Sequence, residues 1–190
     1  MTSPYVPITL GFFGLGTGYL IYGPQELFGF PARSREVDRS MGVWGIFLPG
    51  LCQVVTGIIL FVGLTWFRVF DAKPLYMAAL AFTAYGIHWF ALGWNRFQTN
   101  SIKPNAGMSV AFMMLSALGA TVFYKADSWP VGALFTGLFF VYFFEFFAAF
   151  GMEVAERLLG LAHTVVGMWL LYLTFSTTLN ITTGTTLPAG

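Results

Sequence analysis

The sequence predicts an all-α integral membrane protein with six transmembrane helices in one bundle. Composition is the first reason: 57% of the 190 residues are hydrophobic and only 9% are charged, whereas soluble domains average about 25% charged residues. The second reason is that the few charges divide the chain into apolar runs, each near the roughly 20 residues that a helix needs to cross a bilayer. These runs use almost the whole length, so residues 1–190 are expected to form a single transmembrane domain.

Apolar runs between charged or turn-forming segments define the first three spans. A glycine-rich run predicts the first, 7–28, although Pro24 and Glu26 weaken its end. A charged loop follows, and the next apolar run, 41–67, predicts the second span. The third span, 75–94, contains no Asp, Glu, Lys or Arg.

The same pattern continues to the end of the chain. An apolar run predicts the fourth span at 105–124, and Pro130, a residue type favoured in a first helical turn, opens the fifth at 130–150. Acidic residues precede the sixth span, 158–179, where they suit a helix N-terminus. The segment 180–190 is rich in threonine and glycine, has no helical periodicity and is expected to be a loose tail.

Charge and motif content exclude several classes of protein. The net charge of +1 implies no nucleic-acid partner. The single cysteine, Cys52, lies in an apolar run and is expected to be a packing residue. Residues Met1 to Tyr5 include no Lys or Arg, so they lack the basic start of a cleaved signal peptide. No Ser-His-Asp set, metal-ligand spacing or phosphate loop is present, so neither enzymatic activity nor a cofactor is expected.

The third span carries an unusual group of polar and aromatic residues. Thr83, Tyr85 and His88 lie within a few residues of each other, and in a membrane each must find a partner or face a wet cavity. Phe82, Tyr85 and Trp89 share one helix face. Two interpretations follow: Tyr85 hydrogen-bonds a neighbouring helix, or it lines a pathway.

Small residues recur on one face of several spans, which favours close helix packing. Gln53 differs from them because its amide has donors and an acceptor that need partners. It is predicted to point into the bundle or towards a pore. The faces concerned are Gly11, Gly14 and Gly18; Gly50, Gln53 and Gly57; and Gly160, His163 and Gly167.

Segment 7–16, Pro-Ile-Thr-Leu-Gly-Phe-Phe-Gly-Leu-Gly, resembles the N-terminal signature of the acetate uptake transporters, also called succinate–acetate permeases. Residues 45–57 resemble that family's second span, Phe-Thr-Ala-Tyr-Gly at 82–86 its third-span motif, and Pro-Asn-Ala at 104–106 the start of its fourth. The matches run in order across nearly the whole chain. The signature residues that match are Pro7, Leu10, Gly11 and Gly14, whereas Val6 and Thr9 depart from its usual Asn and Pro, as in a divergent member.

The resemblance implies a homohexamer with a pathway through each six-helix protomer. It implies that small carboxylates, acetate first and succinate in some members, cross the membrane together with protons. It also implies an apolar constriction made by one residue each of spans one, three and five. By position these residues are Leu15, Tyr85 and Leu138, with Phe139 as the rival for the third place.

Hydroxyl and amide groups in the spans are candidates for lining such a pathway. They can replace part of the hydration of a carboxylate without trapping it as a fixed cation would. The candidates are Gln53, Thr83, Asn105 and Ser116.

His88, His163 and Glu145 are the titratable His and Glu residues well inside the spans. A histidine there relays or gates a proton, or it is neutral and hydrogen-bonded across a helix contact; both interpretations stay open. His163 stands where the family commonly has glycine, and Glu145 where an apolar residue is expected. Glu145 is expected to pair with His88, His163 or Arg157.

The distribution of positive charge and the family resemblance predict opposite membrane topologies. Loops after spans one, three and five hold most of the nine Lys and Arg residues, which places the termini outside the cytoplasm by the positive-inside rule. The resemblance implies cytoplasmic termini. Our prediction follows the resemblance: a multi-pass protein of the cell membrane, embedded in lipid, with cytoplasmic termini.

Three other functions fit the sequence. The chain is alternatively an accessory subunit of a membrane complex, with the polar face of span three covered by a partner. It is alternatively a haem-binding redox subunit with His88 and His163 as axial ligands. The last alternative is a channel for small amides such as urea.

Overall fold

The computed structural model describes residues 6–189, so the expectation about Met1 to Tyr5 lies outside the described residues. Within 6–189 the chain is all-helical and contains no strand, as predicted. Six long helices make up the bundle, and α2 combines two α-helical parts with a π-helical turn between them. The helices are α1 Ile8–Phe28, α2 Arg35–Thr65, α3 Pro74–Gln98, α4 Asn105–Lys125, α5 Trp129–Ala148 and α6 Glu153–Thr183.

Five of these helices, α2 to α6, are long and apolar enough to cross a membrane by length and composition. The glycine-rich α1 is not among them, which differs from the six predicted spans. Glycines and the polar end of α1 dilute its apolar content, so a composition criterion does not select it. The helix is nonetheless largely enclosed by the bundle, because Phe12, Leu15, Tyr19 and Tyr22 are all buried.

Small residues bring α1 and α6 into close contact. A Cβ added to Gly16 would lie 3.0 Å from the Cβ of Leu170, and one on Gly160 would lie 2.5 Å from the backbone nitrogen of Leu27. Helices approach this closely only where side chains are absent, and van der Waals packing then replaces the hydrophobic drive that lipid does not provide. The glycine faces therefore act in packing, and they set how closely α1 approaches α6.

The π-helical turn Ile46–Leu51 lies in α2 where that helix packs against α1. Pro49 within the turn has no backbone N–H to donate, which favours a local departure from α-helical hydrogen bonding. A Cβ on Gly18 of α1 would lie 2.7 Å from the Pro49 ring. The extra residue of a π turn rotates the rest of the helix about its axis. Gln53 lies just after the turn and is fully buried.

The α1 helix continues through Pro24 to Phe28, the predicted end of the first span, and the left-handed Gly29 caps its last carbonyls. Other helix ends differ from the sequence expectations. The α2 helix begins ahead of the predicted span because the Ser34 hydroxyl accepts a hydrogen bond from the Val37 amide at 3.2 Å. The expected loose tail is helical to Thr183.

Beyond that helix, the chain folds back on its own end. The Asn180 side chain donates to the Leu187 carbonyl at 2.7 Å and accepts from the Leu187 amide at 2.9 Å. One amide side chain thus satisfies both backbone groups of Leu187 and orders the tail.

Candidate functional site

Two cavities enter the bundle from opposite ends. The polar cavity has a volume of about 300 Å³ and lies among the C-terminal ends of α1, α3 and α5 and the N-terminal ends of α2, α4 and α6. The apolar cavity, of about 90 Å³, lies at the other end, where the N-terminal halves of α1, α3 and α5 meet the last turn of α4 and the middle of α2 and α6. The six helices therefore alternate in direction along the line that joins the two cavities.

Two closing layers separate the cavities. The first closing layer, Leu15, Tyr85 and Leu138, lines the apolar cavity. The second closing layer, Tyr19, Trp89 and Tyr142, lines the polar cavity. Each of α1, α3 and α5 contributes one residue to each layer at a spacing of four, which is about one helical turn. All six side chains are at most 2% exposed.

Aromatic contacts connect the two layers. The rings of Tyr85 and Tyr142 stack with centroids 5.6 Å apart and planes 13° apart. Within the second layer, the Tyr19 and Trp89 centroids are 5.8 Å apart. Stacked and tilted pairs of this kind add about 0.5–1.5 kcal/mol each beyond the area they bury. The closure is thus a packed cluster of rings and not a loose contact.

The Tyr85 hydroxyl points away from the closing layers. It lies 2.9 Å from the Ser116 hydroxyl on α4, which itself donates to the Phe112 carbonyl at 2.7 Å. The Ser116 proton is already used, so Tyr85 is the donor in this pair. Both interpretations of Tyr85 therefore describe part of its structure: its hydroxyl binds a neighbouring helix while its ring lines the apolar cavity.

Gln53 is the polar side chain placed most unusually. It is fully buried, lines the apolar cavity, and neither its Nε2 nor its Oε1 has a hydrogen-bond partner among residues 6–189. A buried amide without partners costs about 1–3 kcal/mol. Gln53 thus presents one donor group and one acceptor group inside a largely apolar space, whose lining also includes Ser128.

Each arginine of the polar cavity is paired with a carboxylate. Arg96 donates from Nε and Nη2 to Asp38 Oδ1 at 3.1 and 3.0 Å. Its guanidinium also lies 4.7 Å from the centroid of the Tyr22 ring. Arg33 forms an ion pair with Glu156 at the more exposed edge of the cavity. The positive charge of both arginines is therefore compensated within the protein.

The deeper titratable groups of this cavity form two separate pairs. His163 Nδ1 lies 2.6 Å from Glu26 Oε2, and the imidazole ring packs on Tyr19 at 4.4 Å between centroids. Asn105 Nδ2 donates to Glu145 Oε1 at 3.0 Å. Glu145 was expected to pair with His88, His163 or Arg157, but the structure pairs it with Asn105, because α4 and α5 bring these residues face to face.

The other predicted lining residues are divided by the structure. Asn105, His88, His163 and Glu145 line the polar cavity. Thr83 lines neither cavity: it donates to the Ala79 carbonyl at 2.8 Å and packs against Gly57 of α2.

Ser116 also lies outside both cavities, behind Tyr85, and is fully buried. Leu138 lines the apolar cavity, and its rival Phe139 lines neither.

The N-terminal signature residues have packing positions. Pro7 precedes α1, and Leu10 lies on the outer surface of that helix with 43% of its area exposed. A Cβ on Gly11 would meet the Phe82 ring of α3, and one on Gly14 would lie 2.6 Å from the Leu48 carbonyl oxygen of α2. These residues set how closely α1 approaches its neighbours.

Sequence reasoning missed Tyr19, Tyr142 and Glu26 as cavity residues. The first two lie four residues beyond Leu15 and Leu138, so the helical repeat from those positions was the available signal. Glu26 was interpreted as a helix-ending residue. Its partner His163 lies 137 positions away in the chain, and no local pattern indicates that pairing.

No family model and no curated protein matches the sequence. Among solved structures, that of the bacterial acetate channel SatP is similar, with a TM-score of 0.79. The alignment covers 99% of this chain and 100% of that chain at 18% sequence identity. At that identity the likeness establishes a shared fold. Together with the five apolar helices, it identifies this chain as a multi-pass membrane protein.

Proposed function

We propose that the protein is a membrane channel or proton-coupled transporter for acetate and related small carboxylates, with succinate among the candidate substrates. The pathway runs through each protomer, from the polar cavity across the two closing layers to the apolar cavity. The observation that carries the proposal is the arrangement of two cavities, open at opposite ends of one bundle and separated by a closure about two helical turns thick. The fold shared with an acetate channel supports the same substrate class.

The chemistry of the closing layers favours a neutral acid. A carboxylate loses hydration on entering an apolar layer, and no free cation replaces it in the described part of the pathway. Beyond Leu15, Tyr85 and Leu138, the unpartnered amide of Gln53 offers a donor to a carbonyl oxygen and an acceptor to an acid hydroxyl. A protonated carboxyl group satisfies both, whereas a carboxylate satisfies only the donor.

Assembly and orientation belong to the same proposal. We infer a homohexamer in the cell membrane with cytoplasmic termini, on the basis of the family resemblance in the sequence. The cavities and closing layers all belong to a single chain, so a pathway in each protomer needs no residue from a partner. Mass measurement of the detergent-solubilised protein tests the hexamer, and an accessibility assay on a C-terminal tag tests the orientation.

Entry of labelled acetate into proteoliposomes tests the function. The parent protein, Tyr85→Ala and Tyr76→Ala are compared at acidic and neutral outside pH, with protein-free vesicles subtracted because the neutral acid also crosses lipid. Tyr76 is the matched control, because it lies on the same helix but is 59% exposed on the outer surface. We expect acid-stimulated entry above the vesicle background, changed by Tyr85→Ala and unchanged by Tyr76→Ala. Absence of entry with correctly folded protein contradicts the proposal.

One observation favours a second candidate function, a channel for small amides. The Gln53 amide also matches a primary amide, which carries a donor and an acceptor on one edge. An amide channel would admit labelled urea or acetamide at a rate independent of pH and would show no competition by acetate. The same vesicles distinguish the two substrates.

The remaining alternatives fit the geometry less well. Both histidines line the polar cavity, but His163 is held by Glu26 and packs on Tyr19, and the His88 ring packs against Phe112 at 5.2 Å, so both rings are already engaged within the bundle. A Soret absorbance band in the purified protein would support the haem-binding alternative. An accessory subunit needs an exposed polar face on α3, but Tyr85 and His88 are buried inside the bundle.

A further inference from the structure

Glu145 differs from the other carboxylates of the polar cavity in its partners. Asp38 and Glu156 are paired with arginines, and Glu26 is paired with His163. Glu145 is only 9% exposed, and within residues 6–189 it has no cationic partner within salt-bridge distance. Its one hydrogen bond comes from the neutral Asn105 amide to Oε1. Ionised Glu145 is thus a nearly buried charge without compensation, and a bound proton removes that charge.

The position of Glu145 on α5 connects it to the closure. Leu138, Tyr142 and Glu145 lie at spacings of four and three on one helix face, which lines first the apolar and then the polar cavity. At a rise of 1.5 Å per residue, Glu145 lies about 10 Å from Leu138 along the helix axis. The Tyr142 ring between them stacks on Tyr85. A solute in the polar cavity therefore passes Glu145 immediately before it reaches the two closing layers.

A second buried group of the same cavity is suited to a carboxylate. Trp89 is 1% exposed and lines the polar cavity, and its Nε1 has no hydrogen-bond acceptor in the described part of the chain. An indole N–H is only a donor, so its natural partner is an acceptor such as a carboxylate oxygen. The cavity thus contains an unused buried donor in the second closing layer and an unpaired acid about one helical turn beyond Tyr142 of that layer.

We propose that Glu145 is the proton donor of this pathway and that it protonates the carboxylate in the polar cavity before the closing layers. The O–H bond of the Glu145 carboxyl breaks and an O–H bond forms on the substrate carboxylate, which gives the neutral acid and a Glu145 carboxylate. Water in the polar cavity then returns a proton to Glu145 from the same side of the membrane. Each crossing carries one carboxylate and one proton, and this inference rests on the proposed function.

Other charged and titratable groups face Glu145 across the cavity. The arginines are neutralised by their own carboxylates, and His163 is neutralised by Glu26 whenever it is protonated, so none of them supplies a lasting counter-charge. His88 has no carboxylate within salt-bridge distance and is packed between aromatic rings. The groups are Tyr19, Tyr22 and Glu26 on α1, Arg33 before α2, Asp38 on α2, His88 and Arg96 on α3, Tyr142 on α5, and Glu156 and His163 on α6.

The pH profile of labelled acetate entry tests this role, with Glu145→Gln compared with the parent in proteoliposomes. An aliphatic carboxylic acid titrates near the Glu value of about 4.3, so between about pH 5.5 and about pH 7.5 its neutral fraction falls roughly tenfold for each unit of pH. The variant admits only acid that is already neutral, so its entry rate is expected to follow this tenfold slope. The parent uses the anion as well, so its rate is expected to fall less steeply, and the two rates converge at acidic pH.

Two further variants complete the test. Glu153→Gln removes an exposed carboxylate at the start of α6 that lines neither cavity, and it is expected to keep the parent profile. Glu145→Asp keeps a titratable group and is expected to keep the shape of the profile at a lower rate, so it serves where Glu145→Gln does not fold. A Glu145→Gln profile of the parent's shape, or a loss of entry by the same factor at every pH, overturns the proposal. A parent protein that admits no acetate refutes the proposed function itself.

Discussion

Replacing Gln53 with leucine should stabilise the protein and impair its function at the same time. The Gln53 side chain is fully buried, and both polar atoms of its amide lack partners within residues 6–189. Such an amide costs about 1–3 kcal/mol, and an apolar side chain of similar size removes that cost. The free energy of unfolding should therefore rise by about 1–3 kcal/mol in Gln53→Leu.

Thermal unfolding in detergent measures the first half of this prediction. For a chain of this length, 1 kcal/mol moves the unfolding midpoint by roughly 2–4 °C, so Gln53→Leu should raise it by several degrees. Gln25→Leu is the matched control. Gln25 is also buried, but its Nε2 donates to the Pro31 carbonyl at 2.9 Å and it lines neither cavity. Its replacement loses that hydrogen bond, worth about 1 kcal/mol, but it also removes an Oε1 that has no partner within residues 6–189, so it should raise stability less than Gln53→Leu does.

Acetate entry measures the second half. Gln53→Leu should admit labelled acetate more slowly than the parent, because the apolar cavity then lacks the amide that offers both a donor and an acceptor to a carboxyl group. Gln25→Leu should leave entry unchanged. A lower unfolding midpoint in Gln53→Leu refutes the reasoning, because it means that the amide is already satisfied in the folded state. Faster entry also refutes it, since Gln53 would then act as an obstacle.

Three further changes have defined outcomes. Leu138→Ala should lower the free energy of unfolding by about 2–5 kcal/mol and increase acetate entry by widening the first closing layer; calorimetry and vesicle uptake measure the two effects. Gly57→Ala should lower the free energy of unfolding by about 1–3 kcal/mol because the added Cβ overpacks the contact with α3. Adding Thr83→Ala should restore only part of that loss, because the new Cβ also lies 2.7 Å from the Thr83 backbone nitrogen, which that substitution does not remove. Ser116→Ala removes the partner of the Tyr85 hydroxyl and should lower the free energy of unfolding by about 1 kcal/mol. In a Tyr85→Phe background the same substitution should lower it little further, and stability losses that add in the double variant would contradict the hydrogen bond.

The helical architecture was predictable because it depends on local composition. Charged loops and apolar runs indicate where helices begin and end, and an acetate channel with 18% sequence identity shares the resulting fold. Details that depend on helix rotation were not predictable in the same way. The π turn at Pro49 rotates the rest of α2, and no periodicity rule anticipates such a turn.

The same distinction applies to the candidate site. Leu15, Tyr85 and Leu138 were selected by position, and the structure places all three around one cavity, while their role in transport stays a prediction. Thr83 was selected as a polar residue in a span, but its hydroxyl is used within its own helix. Asn105 and Glu145 lie 40 positions apart, so only the packing of α4 on α5 shows that they are partners.

The packing of the first closing layer bears on whether the protein is better described as a channel or as a transporter whose helices move against one another. The first closing layer consists of three side chains, and a single hydrogen bond, from the Tyr85 hydroxyl to Ser116, ties one of them to a neighbouring helix. Breaking that bond costs about 1 kcal/mol, and separating the stacked rings of Tyr85 and Tyr142 costs about 0.5–1.5 kcal/mol more. The close glycine contacts between α1 and α6 resist movement of these helices against one another. For the proposed pathway we therefore expect opening by rotation of Tyr85 and its stacked neighbour Tyr142 rather than by movement of α1, which favours a gated channel.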